Sequence, residues 1–591
     1  MAASRLKLMH SDDEQEFQSQ GDQDTSLPMD RIRRFKDSVH DYIPFGPEIC
    51  AIIDTPQFQR LRNIKQLGTS YYVWPGAAHN RFEHCLGVAY LSHCMAEHLQ
   101  KCQPELKITR RDIKCVTMAG LCHDLGHGPW SHVWDGLFIP KALPGTAWQH
   151  EDASEMMFDM LIKENNLDIP EHDVTFIKAL IAGNPSRCRD RQEKQFLFEI
   201  VANKRNGLDV DKFDYIARDT HAMDLRGNLS LTRCVARCEI YTMELKGAVM
   251  RLRLIHSARV IDDEICFDIK DANQIYELCY TRFSLHKRIY NHKTAKAIEY
   301  MIVDALLAAE PHMKFASDIT NPQKYLYLTD DLRARIEASE SPELEKARSI
   351  LGRIHKRDLY KCVDYKVFPW SRKDICEEYF TPEKIVQAAL ADNGDDPDAF
   401  EHGELTADHV IVDLAKMHYG MKDKNPLDYV KFYSKQHPNT SERANLDDIS
   451  LLMPSVFGEV LLRIYTKEKE FHGLVQAGYR TLLAQMPEPL PDPLDSPEPR
   501  ELTPPLEFQV PSTPPMRKRP LSRVQSAGAR FFSGESDITP SLSQNSFTSV
   551  PKNYTGRPQS PTHKKSNGQK REREPEVGSG SPPLKKKRGA H

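Results

Sequence analysis

The sequence has no long hydrophobic run, no signal-like start and no regular cysteine pattern. No segment reaches the roughly 18 consecutive apolar residues of a membrane span, and the first residues lack the apolar stretch of a secretory signal. The 13 cysteines are scattered, and Cys234 and Cys238, the one close pair, have no second pair to complete a zinc site. We therefore expect no membrane partner and a reducing compartment.

The charge balance excludes another class of protein. The 591 residues carry 80 basic and 84 acidic side chains, for a net charge of -4. A globally basic nucleic-acid coat protein is thereby excluded, whereas a local basic patch is not. A chain of this length can bury a large core without disulfides or structural metals.

Composition divides the chain into three parts. Residues 1–30 are polar and acidic, and we predict that they are disordered. Residues 31–485 have the composition of a globular protein. Residues 486–591 hold 19 of the 39 prolines, among Ser, Thr, Lys and Arg, and so we predict a disordered tail.

Apolar spacing in the globular part predicts mostly helices. The predicted helical segments are RFEHCLGVAYLSHCMAEHL (81–99), DIKCVTMAGLCHDLGHG (112–128), QFLFEIVANK (195–204), NQIYELCYTRFSLHKRIYNHKTAKAIEYMIVDALLAA (273–309) and EVLLRIYTKEK (459–469). The signal for strands is weak, and GAVMRLRLIHSARVIDDEICFDI (247–269) alone resembles a hairpin or a three-stranded unit. The segment around Asp392 reads as an acidic loop.

Histidine and aspartate cluster in the first 220 residues. His123 and Asp124 are adjacent in HDLGHGPWSH (123–132), His84 lies upstream, and NGLDVDKFDYIARD (206–219) supplies four aspartates. At a helix end, both members of an adjacent His–Asp pair can turn toward one ion. Imidazoles and carboxylates with open positions suit Mn, Fe, Mg or Zn, which activate water and polarise phosphoryl oxygens. An isolated His–Asp dipeptide is usually coincidental, and the surrounding cluster is what favours a metal site.

Basic residues recur beside these candidate ligands. Arg81 lies three residues before His84, Lys212 follows Asp211, and Arg282 opens RFSLHKRIYNHK (282–293). Taken one at a time, such side chains are usually solvated surface charges. Next to a metal site they are the groups expected around a polyphosphate.

These residues stand in longer blocks that resemble the HD-domain deoxynucleoside triphosphate (dNTP) triphosphohydrolases. The matching blocks are IIDTPQFQRLRNIKQLG (52–68), YYVWPGAAHNRFEHCLGVAYL (71–91), AGLCHDLGHGPWSH (119–132), NKRNGLDVDKFDYIARD (203–219), TRFSLHKRIYNHK (281–293) and YGMKDKNPLDYVKFY (419–433). The resemblance is greatest to the animal members, without their N-terminal sterile-alpha-motif domain. It implies a mainly α fold, with an HD catalytic domain at 31–310 and a small α/β lobe at 311–485 that contributes to oligomer and regulatory sites.

The resemblance also implies roles for individual residues. The metal ligands would be His84, His123, Asp124 and Asp211. The catalytic and relay positions would be His127, His132, Asp135, His150 and Glu151, with His132 protonating the leaving group. The substrate contacts would be Gln66, Leu67, Arg81, Lys212, Tyr215, Asp219, Arg282 and Tyr290, of which Tyr290 would crowd C2′ and exclude ribonucleotides. The implied reaction converts a dNTP and water to a deoxynucleoside and inorganic triphosphate.

Regulation is implied for the animal members, in which a guanine nucleotide (GTP or dGTP) and a dNTP bind between subunits and drive an active homotetramer. The matching positions are Asp54, Gln59 and Arg62 for guanine, and Val73, Arg237, Lys270, His292, Lys293 and Arg443 for the remaining contacts. The chain departs from the pattern at Lys36, where asparagine is usual, at Asp268, where arginine is usual, and at Leu446, where lysine is expected. We therefore expect the guanine pocket to be kept and the second effector site to be weakened.

The tail carries signals of location and modification. Basic clusters at 517–519, 563–573 and 585–588 indicate nuclear import or contact with single-stranded nucleic acid. Six proline-directed sites, some followed by basic residues, indicate phosphorylation by a cyclin-dependent kinase: Ser496, Thr503, Thr513, Thr539, Ser560 and Ser581. We expect a nuclear protein.

Two other functions remain open. The chain could be another HD phosphohydrolase, a phosphodiesterase or nuclease that uses the same metal. It could also be a non-catalytic binder of single-stranded nucleic acid. The reaction products would separate the first alternative from triphosphate release.

Overall fold

A computed structural model describes residues 31–188, 193–225, 253–392, 404–445, 449–450 and 452–487. Within these ranges helices dominate, which confirms the predicted mainly α fold. The predicted disordered segment at 1–30, the predicted tail at 486–591 beyond residue 487, Arg237, Leu446 and the pair Cys234 and Cys238 lie outside the described residues. Of the acidic loop predicted around Asp392, residues 393–403 also lie outside them, whereas Asp392 itself ends a helix. The predicted domain boundaries stay predictions.

Eighteen α-helices and nine strands form the described part of the chain. The helices are α1 Pro47–Ile53, α2 Pro56–Gln59, α3 Arg81–Cys102, α4 Arg110–Cys122, α5 Ile139–Ala142, α6 His150–Glu164, α7 Glu171–Ile181, α8 Phe198–Val201, α9 Val210–Ala222, α10 Arg253–Ser257, α11 Ala272–Leu285, α12 Lys293–Met313, α13 Pro322–Tyr325, α14 Leu332–Glu337, α15 Glu345–His355, α16 Lys373–Tyr379, α17 Pro382–Asp392 and α18 His472–Gln485. The strands are β1 Arg33–Asp37, β2 Asp41–Phe45, β3 Arg259–Ile261, β4 Glu264–Asp268, β5 Lys361–Pro369, β6 Val410–His418, β7 Lys431–Tyr433, β8 Glu442–Arg443 and β9 Gly458–Thr466.

Helix α3 runs through the centre of the large core. It is apolar on most sides and packs against α4 and α9, so that its small residues allow close approach of these helices. Leu86, Val88, Leu91 and Leu99 are almost fully buried, and each such side chain contributes about 1.5–3 kcal/mol of hydrophobic stabilisation. The helix fixes its own start, because the Glu83 carboxylate accepts a hydrogen bond from the Asn80 N–H at 3.2 Å.

Three small sheets accompany the helices. Strands β1 and β2 form a hairpin, and β3, β4, β7 and β8 form a four-stranded sheet in that order. In the C-terminal lobe β9 lies between β5 and β6, antiparallel to both. Helices α16, α17 and α18 and this sheet share a second apolar core, as predicted for a small α/β lobe.

Two secondary-structure predictions are wrong. The segment at 459–469, predicted as a helix, is mostly strand β9, whose residues are nearly all buried. A strand buried on both faces is apolar throughout, so its pattern cannot be told from that of a buried helix. The long helix predicted at 273–309 is two helices, α11 and α12, separated by a π-helical turn, His286–Tyr290, and a break at Asn291 and His292.

The hairpin predicted at 247–269 is present in part. Strands β3 and β4 pair antiparallel from Arg259 to Cys266, whereas Arg253–Ser257 is a short helix, α10, and the residues just before it lie outside the described part. The segment at 195–204 forms a 3₁₀ turn and the single helical turn α8. Within the described ranges, no helix is both long and apolar enough to cross a membrane, and the eleven cysteines there are all free thiols.

Candidate active site

The four predicted metal ligands come from three helices of the core. His84 lies in the first turn of α3, and Asp211 is the second residue of α9. His123 caps the C-terminal end of α4, and Asp124 follows it directly. The adjacent His–Asp pair therefore stands at a helix end, as predicted, and both side chains turn inward toward the other two.

The distances between these side chains suit a shared cation. The Nε2 atoms of His84 and His123 lie 3.1 and 3.5 Å from Asp211 Oδ1. Asp124 approaches the same two nitrogens at 3.5 and 3.4 Å. Ligand atoms that lie about 2.0–2.2 Å from one ion are separated by roughly 3–3.5 Å, so these distances are those expected of groups that would hold one divalent ion.

Hydrogen bonds fix how the two ligand imidazoles point. His84 Nδ1 lies 2.8 Å from Asp214 Oδ2, and His123 Nδ1 lies 2.8 Å from the carbonyl oxygen of Gly120. With Nδ1 held by an acceptor, each ring turns Nε2 toward the centre, which is the usual arrangement of metal-binding histidines. His123 Nε2 is buried and has no hydrogen-bond partner among the described residues. The residues present thus fit a divalent metal ion.

The site carries a strong negative field. Burial lowers the pKa of His84, but hydrogen bonds with Asp211 and Asp214 and the charge of Asp124 outweigh it and raise that pKa to about 10. Burial raises the pKa of Asp211, and the two imidazoles hold it well below its usual range. The field that attracts a proton to His84 attracts a divalent cation in the same way.

A second cluster of imidazoles adjoins the ligands. Asp135 Oδ2 accepts a hydrogen bond from His150 Nδ1 at 2.5 Å, and Asp135 Oδ1 lies 3.7 Å from His132 Nδ1. The ring of His127 stacks on that of His150, with centroids 3.9 Å apart and an angle of 19° between the planes. Because an ion cannot lie in two stacked ring planes, we interpret this cluster as an acid–base group and not as a second metal site.

The charge states within this cluster differ. Burial and the neighbouring charges of Arg81 and His150 lower the pKa of His127 well below 6.5, so its ring is neutral. Burial also lowers the pKa of His150, but Asp135 outweighs it and raises that pKa. Two stacked imidazoles with oppositely shifted pKa values therefore lie beside the ligands, which is an arrangement that can hold and transfer a proton. Glu151 lies 3.4 Å from His150 Nδ1.

One cavity of about 540 Å³ joins most of the predicted site residues. The predicted residues that line it are Gln66, Leu67, Arg81, Asp124, His127, His132, His150, Asp211, Tyr215, Asp219, Arg282 and Tyr290. A volume of this size suits a small-molecule ligand. Sequence reasoning thus selected side chains from segments more than 200 residues apart that the fold brings to one place.

The predicted phosphate-binding groups differ in placement. Arg81 is buried, and its Nη1 donates to Asp124 Oδ2 at 2.5 Å. Arg282 donates from Nη1 to the His418 carbonyl oxygen at 2.8 Å, while its buried Nε has no partner among the described residues. Lys212 does not line the cavity, because its Nζ pairs with Asp209 at 3.0 Å.

Two of the predicted substrate contacts, Asp219 and Tyr290, are bonded to each other. Asp219 accepts a hydrogen bond from the Tyr290 hydroxyl, and Asp219 Oδ1 lies 2.7 Å from His79 Nε2. Gln66 is buried, and its Oε1 has no hydrogen-bond partner within the described ranges. Tyr290 is thus held in one orientation at the cavity wall, and Gln66 offers a polar group that a ligand can satisfy.

Comparison with known proteins places this geometry in a family. The HD domain family matches residues 81–194, and the HD associated region matches residues 250–427. The chain is 41% identical over 478 residues to the deoxynucleoside triphosphate triphosphohydrolase SAMHD1 of Mus musculus, covering 76% of this chain and 71% of the relative. The chain belongs to the family of HD-domain deoxynucleoside triphosphate triphosphohydrolases.

Other members of this dNTP triphosphohydrolase family agree. The Homo sapiens SAMHD1 protein is 40% identical over 483 residues, covering 76% of this chain and 73% of the relative. The SAMHD1 homolog of Dictyostelium discoideum is 37% identical over 453 residues, covering 76% of this chain and 80% of the relative. The resemblance inferred from the sequence blocks is confirmed.

The predicted guanine-reading residues of this family member lie around a second cavity. Asp54, Gln59 and Arg62 line a space of about 400 Å³ with Arg33 and Phe35 of strand β1. Arg33 donates two hydrogen bonds to the Asp54 carboxylate, at 2.9 and 2.8 Å. In this structure the carboxylate predicted to read guanine is therefore already bound by a side chain of the same molecule.

The remaining predicted regulatory residues of the family pattern are spread over other elements. Trp74, next to Val73, contacts the ring of His292 with centroids 5.8 Å apart, and Lys293 begins α12. Lys270 follows β4, and its backbone N–H donates a hydrogen bond at 3.0 Å to the side chain of Asp268, the residue that stands where arginine is usual. The other predicted residue, Arg443, lies in β8 and is exposed. Lys36 pairs with Asp41 inside the β1–β2 hairpin.

Sequence reasoning missed a carboxylate that holds two walls of the dNTP triphosphohydrolase cavity together. Asp330 accepts hydrogen bonds from the backbone N–H of Trp130 at 2.7 Å and of Lys65 at 3.0 Å. Trp130 and Ser131 both have left-handed backbones, with φ of 55° and 57°, directly before His132. The Ser131 hydroxyl donates to the Lys65 carbonyl oxygen at 2.8 Å. No local pattern marks Asp330, which lies 200 residues downstream.

Proposed function

We propose that this protein hydrolyses dNTPs to a deoxynucleoside and inorganic triphosphate at the site built around His84, His123, Asp124 and Asp211. The observation that carries the proposal is that Asp124, Asp211, the imidazole cluster and the predicted substrate contacts line one cavity, with His84 and His123 gathered around Asp211 at its edge. The activity named for the relatives, which are about 40% identical over most of this chain, supports the same reaction.

The divalent ion is part of the proposal, with Mn, Fe, Zn or Mg as candidates. When bound to the four ligands, the ion supplies Lewis acidity toward water and toward a phosphoryl oxygen. Asp214 and the Gly120 carbonyl hold the two ligand imidazoles in the orientation that binding requires. The positive charges of Arg81 and Arg282 line the same cavity and stabilise the negative charge of the triphosphate.

Proton transfer falls to the two imidazoles that share Asp135. In the proposed reaction water attacks the α-phosphorus, the bond from that phosphorus to the 5′-oxygen breaks, and the 5′-oxygen takes a proton. We assign donation of this proton to His132, because the His132 side chain is 72% exposed at the cavity and lies at the long distance of 3.7 Å from Asp135. His150 is held at 2.5 Å by the same carboxylate, which raises its pKa and fixes its ring beside His132.

Selection of deoxyribose is assigned to Tyr290. Its hydroxyl is tied to Asp219, and His79 holds that carboxylate from the other side. A ring fixed in this way has little freedom to withdraw from a 2′-hydroxyl group. A ribonucleotide is then rejected by steric overlap and by the loss of paired polar contacts.

Product analysis tests the reaction. Purified protein is incubated with dGTP or dATP and with Mn²⁺ or Mg²⁺, and the products are separated by ion-exchange chromatography. We expect inorganic triphosphate and the nucleoside, and we expect Asp211→Ala to abolish both. The matched control is Asp159→Ala, an exposed carboxylate of α6 that pairs with Lys178 away from the cavity. Release of pyrophosphate or of a nucleoside monophosphate would instead favour the phosphodiesterase or nuclease alternative.

We also propose that a guanine nucleotide and a dNTP activate the enzyme and that the active form is a homotetramer. The cavity beside Asp54, Gln59 and Arg62 supports a guanine site, since carboxylate and amide groups match the donor and acceptor edge of that base. The test compares dATP hydrolysis with and without GTP and follows the oligomer by size-exclusion chromatography with light scattering. Full activity of a monomer without GTP would refute this proposal.

We propose further that the protein is nuclear, that a cyclin-dependent kinase modifies its tail, and that the tail can contact single-stranded nucleic acid. These proposals rest on the proline-rich, basic sequence after residue 486. Replacing Lys585, Lys586, Lys587 and Arg588 by alanine in a fluorescent fusion should move it to the cytoplasm. An unchanged nuclear signal would contradict the assigned import cluster.

A further inference from the structure

The β1–β2 hairpin reaches two sites at once. At the start of β1, Arg33 and Phe35 line the cavity beside Asp54, and Arg33 holds the Asp54 carboxylate with two hydrogen bonds. At the other end of the same five-residue strand, Asp37 and then His40 in the turn are buried, with 8% and 5% of their surfaces exposed. A short strand therefore connects the second cavity to the interior of the protein.

The buried end of the hairpin is bonded to the carboxylate that orients a metal ligand. His40 Nε2 lies 2.6 Å from Asp214 Oδ1, and the other oxygen of Asp214 lies 2.8 Å from His84 Nδ1. Arg218 strengthens the link, because it donates to Asp214 at 2.8 Å and to Asp37 at 2.8 Å. Two hydrogen bonds and one carboxylate thus separate the hairpin turn from His84.

The space around Asp214 leaves it little freedom. Its side chain is fully buried, Arg218 donates to both of its oxygens at 2.8 and 2.9 Å, and His40 lies 2.6 Å from one of them. On the side of α3, a Cβ atom at Gly87 would overlap both Asp214 Oδ1 and Arg218 Nη2, so the carboxylate packs directly against the helix. A displacement of His40 or Asp37 is therefore transmitted to Asp214 and is not absorbed by empty space.

A ligand that reads Asp54 meets a carboxylate whose two oxygens each already accept a hydrogen bond from Arg33. Release of Arg33 frees the start of β1, whose far end is bonded through Asp37 and Arg218 to Asp214. The backbone of β1 is paired with β2 over its whole length, so the hairpin moves as one element. The second cavity and the metal centre are in this way joined by the β1 strand and by hydrogen bonds at each of its ends.

We infer that the β1–β2 hairpin is a positioning element for His84: through Asp37, His40 and Asp214 it sets the orientation of this imidazole and couples the affinity for metal to occupation of the cavity beside Asp54. The inference rests on the proposed function in two respects, namely that His84 is a metal ligand and that the cavity beside Asp54 binds a guanine nucleotide. By thermodynamic linkage, a nucleotide that tightens metal binding is itself bound more tightly when metal is present.

Direct metal binding tests the positioning role without reference to activity. The full chain is titrated with Mn²⁺, and free Mn²⁺ is measured by electron paramagnetic resonance. We expect Asp214→Asn to weaken binding by about 10–100-fold, the range for partners that orient ligands. His40→Gln and Asp37→Asn, which do not touch His84, should weaken it in the same direction by a smaller factor of at least three. Thermal melting shows whether each variant is folded.

The matched control is Asp41→Asn in the same hairpin. Its side chain is exposed and pairs with Lys36, away from Asp214, and asparagine tolerates its left-handed backbone (φ 65°). We expect Mn²⁺ binding of this variant within twofold of the wild type. Wild-type affinity in both His40→Gln and Asp37→Asn would overturn the positioning role.

The coupling is tested by adding GTP to the same titrations. We expect GTP to tighten Mn²⁺ binding of the wild type at least threefold and to have a smaller effect on Asp37→Asn. The Mn²⁺ that GTP itself chelates is measured in protein-free samples and subtracted. Equal Mn²⁺ affinity with and without GTP would overturn the coupling where calorimetry shows that GTP binds, whereas absence of GTP binding would contradict the proposed guanine site. Asp211→Ala separates this result from failure of the proposed function. If the wild type binds Mn²⁺ no better than Asp211→Ala, the metal site itself is wrong. If Asp211→Ala loses Mn²⁺ binding but the His40 and Asp37 variants do not, only the role of the hairpin is overturned.

Discussion

Replacement of Asp330 by asparagine should stabilise the protein increasingly as the pH rises, and should slow catalysis. Burial raises the pKa of Asp330 from 3.8 to about 6, because the hydrogen bonds from Trp130 and Lys65 offset only part of the cost of burying its charge. The folded protein thus holds this proton to higher pH than the unfolded chain. The stability of the wild type therefore falls as the pH rises from about 4 to about 6. Asparagine does not titrate, so the variant does not lose this stability.

The size of the effect follows from the shift. A rise in pKa from 3.8 to about 6 lowers the free energy of unfolding of the wild type by about 3 kcal/mol at neutral pH, relative to low pH. Roughly half of this loss occurs between pH 5 and pH 7.5. Asparagine also leaves the Lys65 N–H without an acceptor, which costs about 1–3 kcal/mol at every pH. This constant loss lowers the stability of the variant equally at both pH values. The quantity to examine is therefore the change with pH in the stability difference between the variant and the wild type.

The assay is differential scanning calorimetry of both proteins at pH 5 and pH 7.5. We expect the melting temperature of Asp330→Asn, relative to the wild type, to rise by about 1–2 °C between these conditions. Asp331→Asn is the matched control, since its carboxylate contacts Thr329 and neither Trp130 nor Lys65. An identical difference in melting temperature at both pH values would refute the argument that burial penalises this charge.

Activity should change in the opposite direction. The amide of Asp330→Asn cannot accept hydrogen bonds from both Trp130 and Lys65, so the left-handed turn before His132 loses part of its support. We expect kcat to fall about 10–100-fold, with a smaller change in KM, because misplacement of a reacting group by about 1 Å can cost that much. Unchanged kcat in the folded variant would show that the clamp is not needed for catalysis.

Three further predictions concern the sugar contact, the metal and the second cavity. Tyr290→Ala should raise the ratio of kcat/KM for ATP to that for dATP about tenfold, whereas Tyr290→Phe, which keeps the ring, should not change it. An equal ratio in the wild type and both variants would show that Tyr290 does not select deoxyribose. Chelation should abolish hydrolysis, Mn²⁺ should restore it, and Asp211→Ala should not be restored; metal-independent triphosphate release would contradict the site. Arg33→Gln should tighten GTP binding, measured by calorimetry, about two- to fivefold, because the variant lacks the exposed ion pair with Asp54, which contributes about 0.5–1 kcal/mol to the unbound protein. Weaker GTP binding would mean that Arg33 itself contacts the nucleotide.

The sequence was most informative where chemistry is concentrated in short blocks. An adjacent His–Asp pair near two glycines predicts a helix end, and His123 indeed caps α4 with Asp124 directly after it. The same reasoning failed for β9, because burial on both faces removes the alternation that identifies a strand. It also failed at residues 286–292, where a π-helical turn interrupts an otherwise continuous helical pattern.

Other features depend on contacts between distant segments. Asp330 and Lys65 are 265 residues apart, and nothing near Asp330 indicates that its two oxygens hold two walls of the cavity. Asp214 was visible within a group of four aspartates, but its contact with His84 arises only when α9 packs against α3. The family pattern indicated which residues meet in the cavity, whereas the network that positions them becomes apparent only from the fold.

The dispersal of the ligands over α3, the end of α4 and α9 has a consequence for how long the protein survives in a cell. An ion held by all three elements binds the native state and not the unfolded chain, so free metal at 100 times its dissociation constant adds about 2.7 kcal/mol to folding stability. Scarcity of the metal would withdraw that contribution and expose the chain to proteases. The quantity of enzyme, and not only its turnover, would then follow the supply of metal.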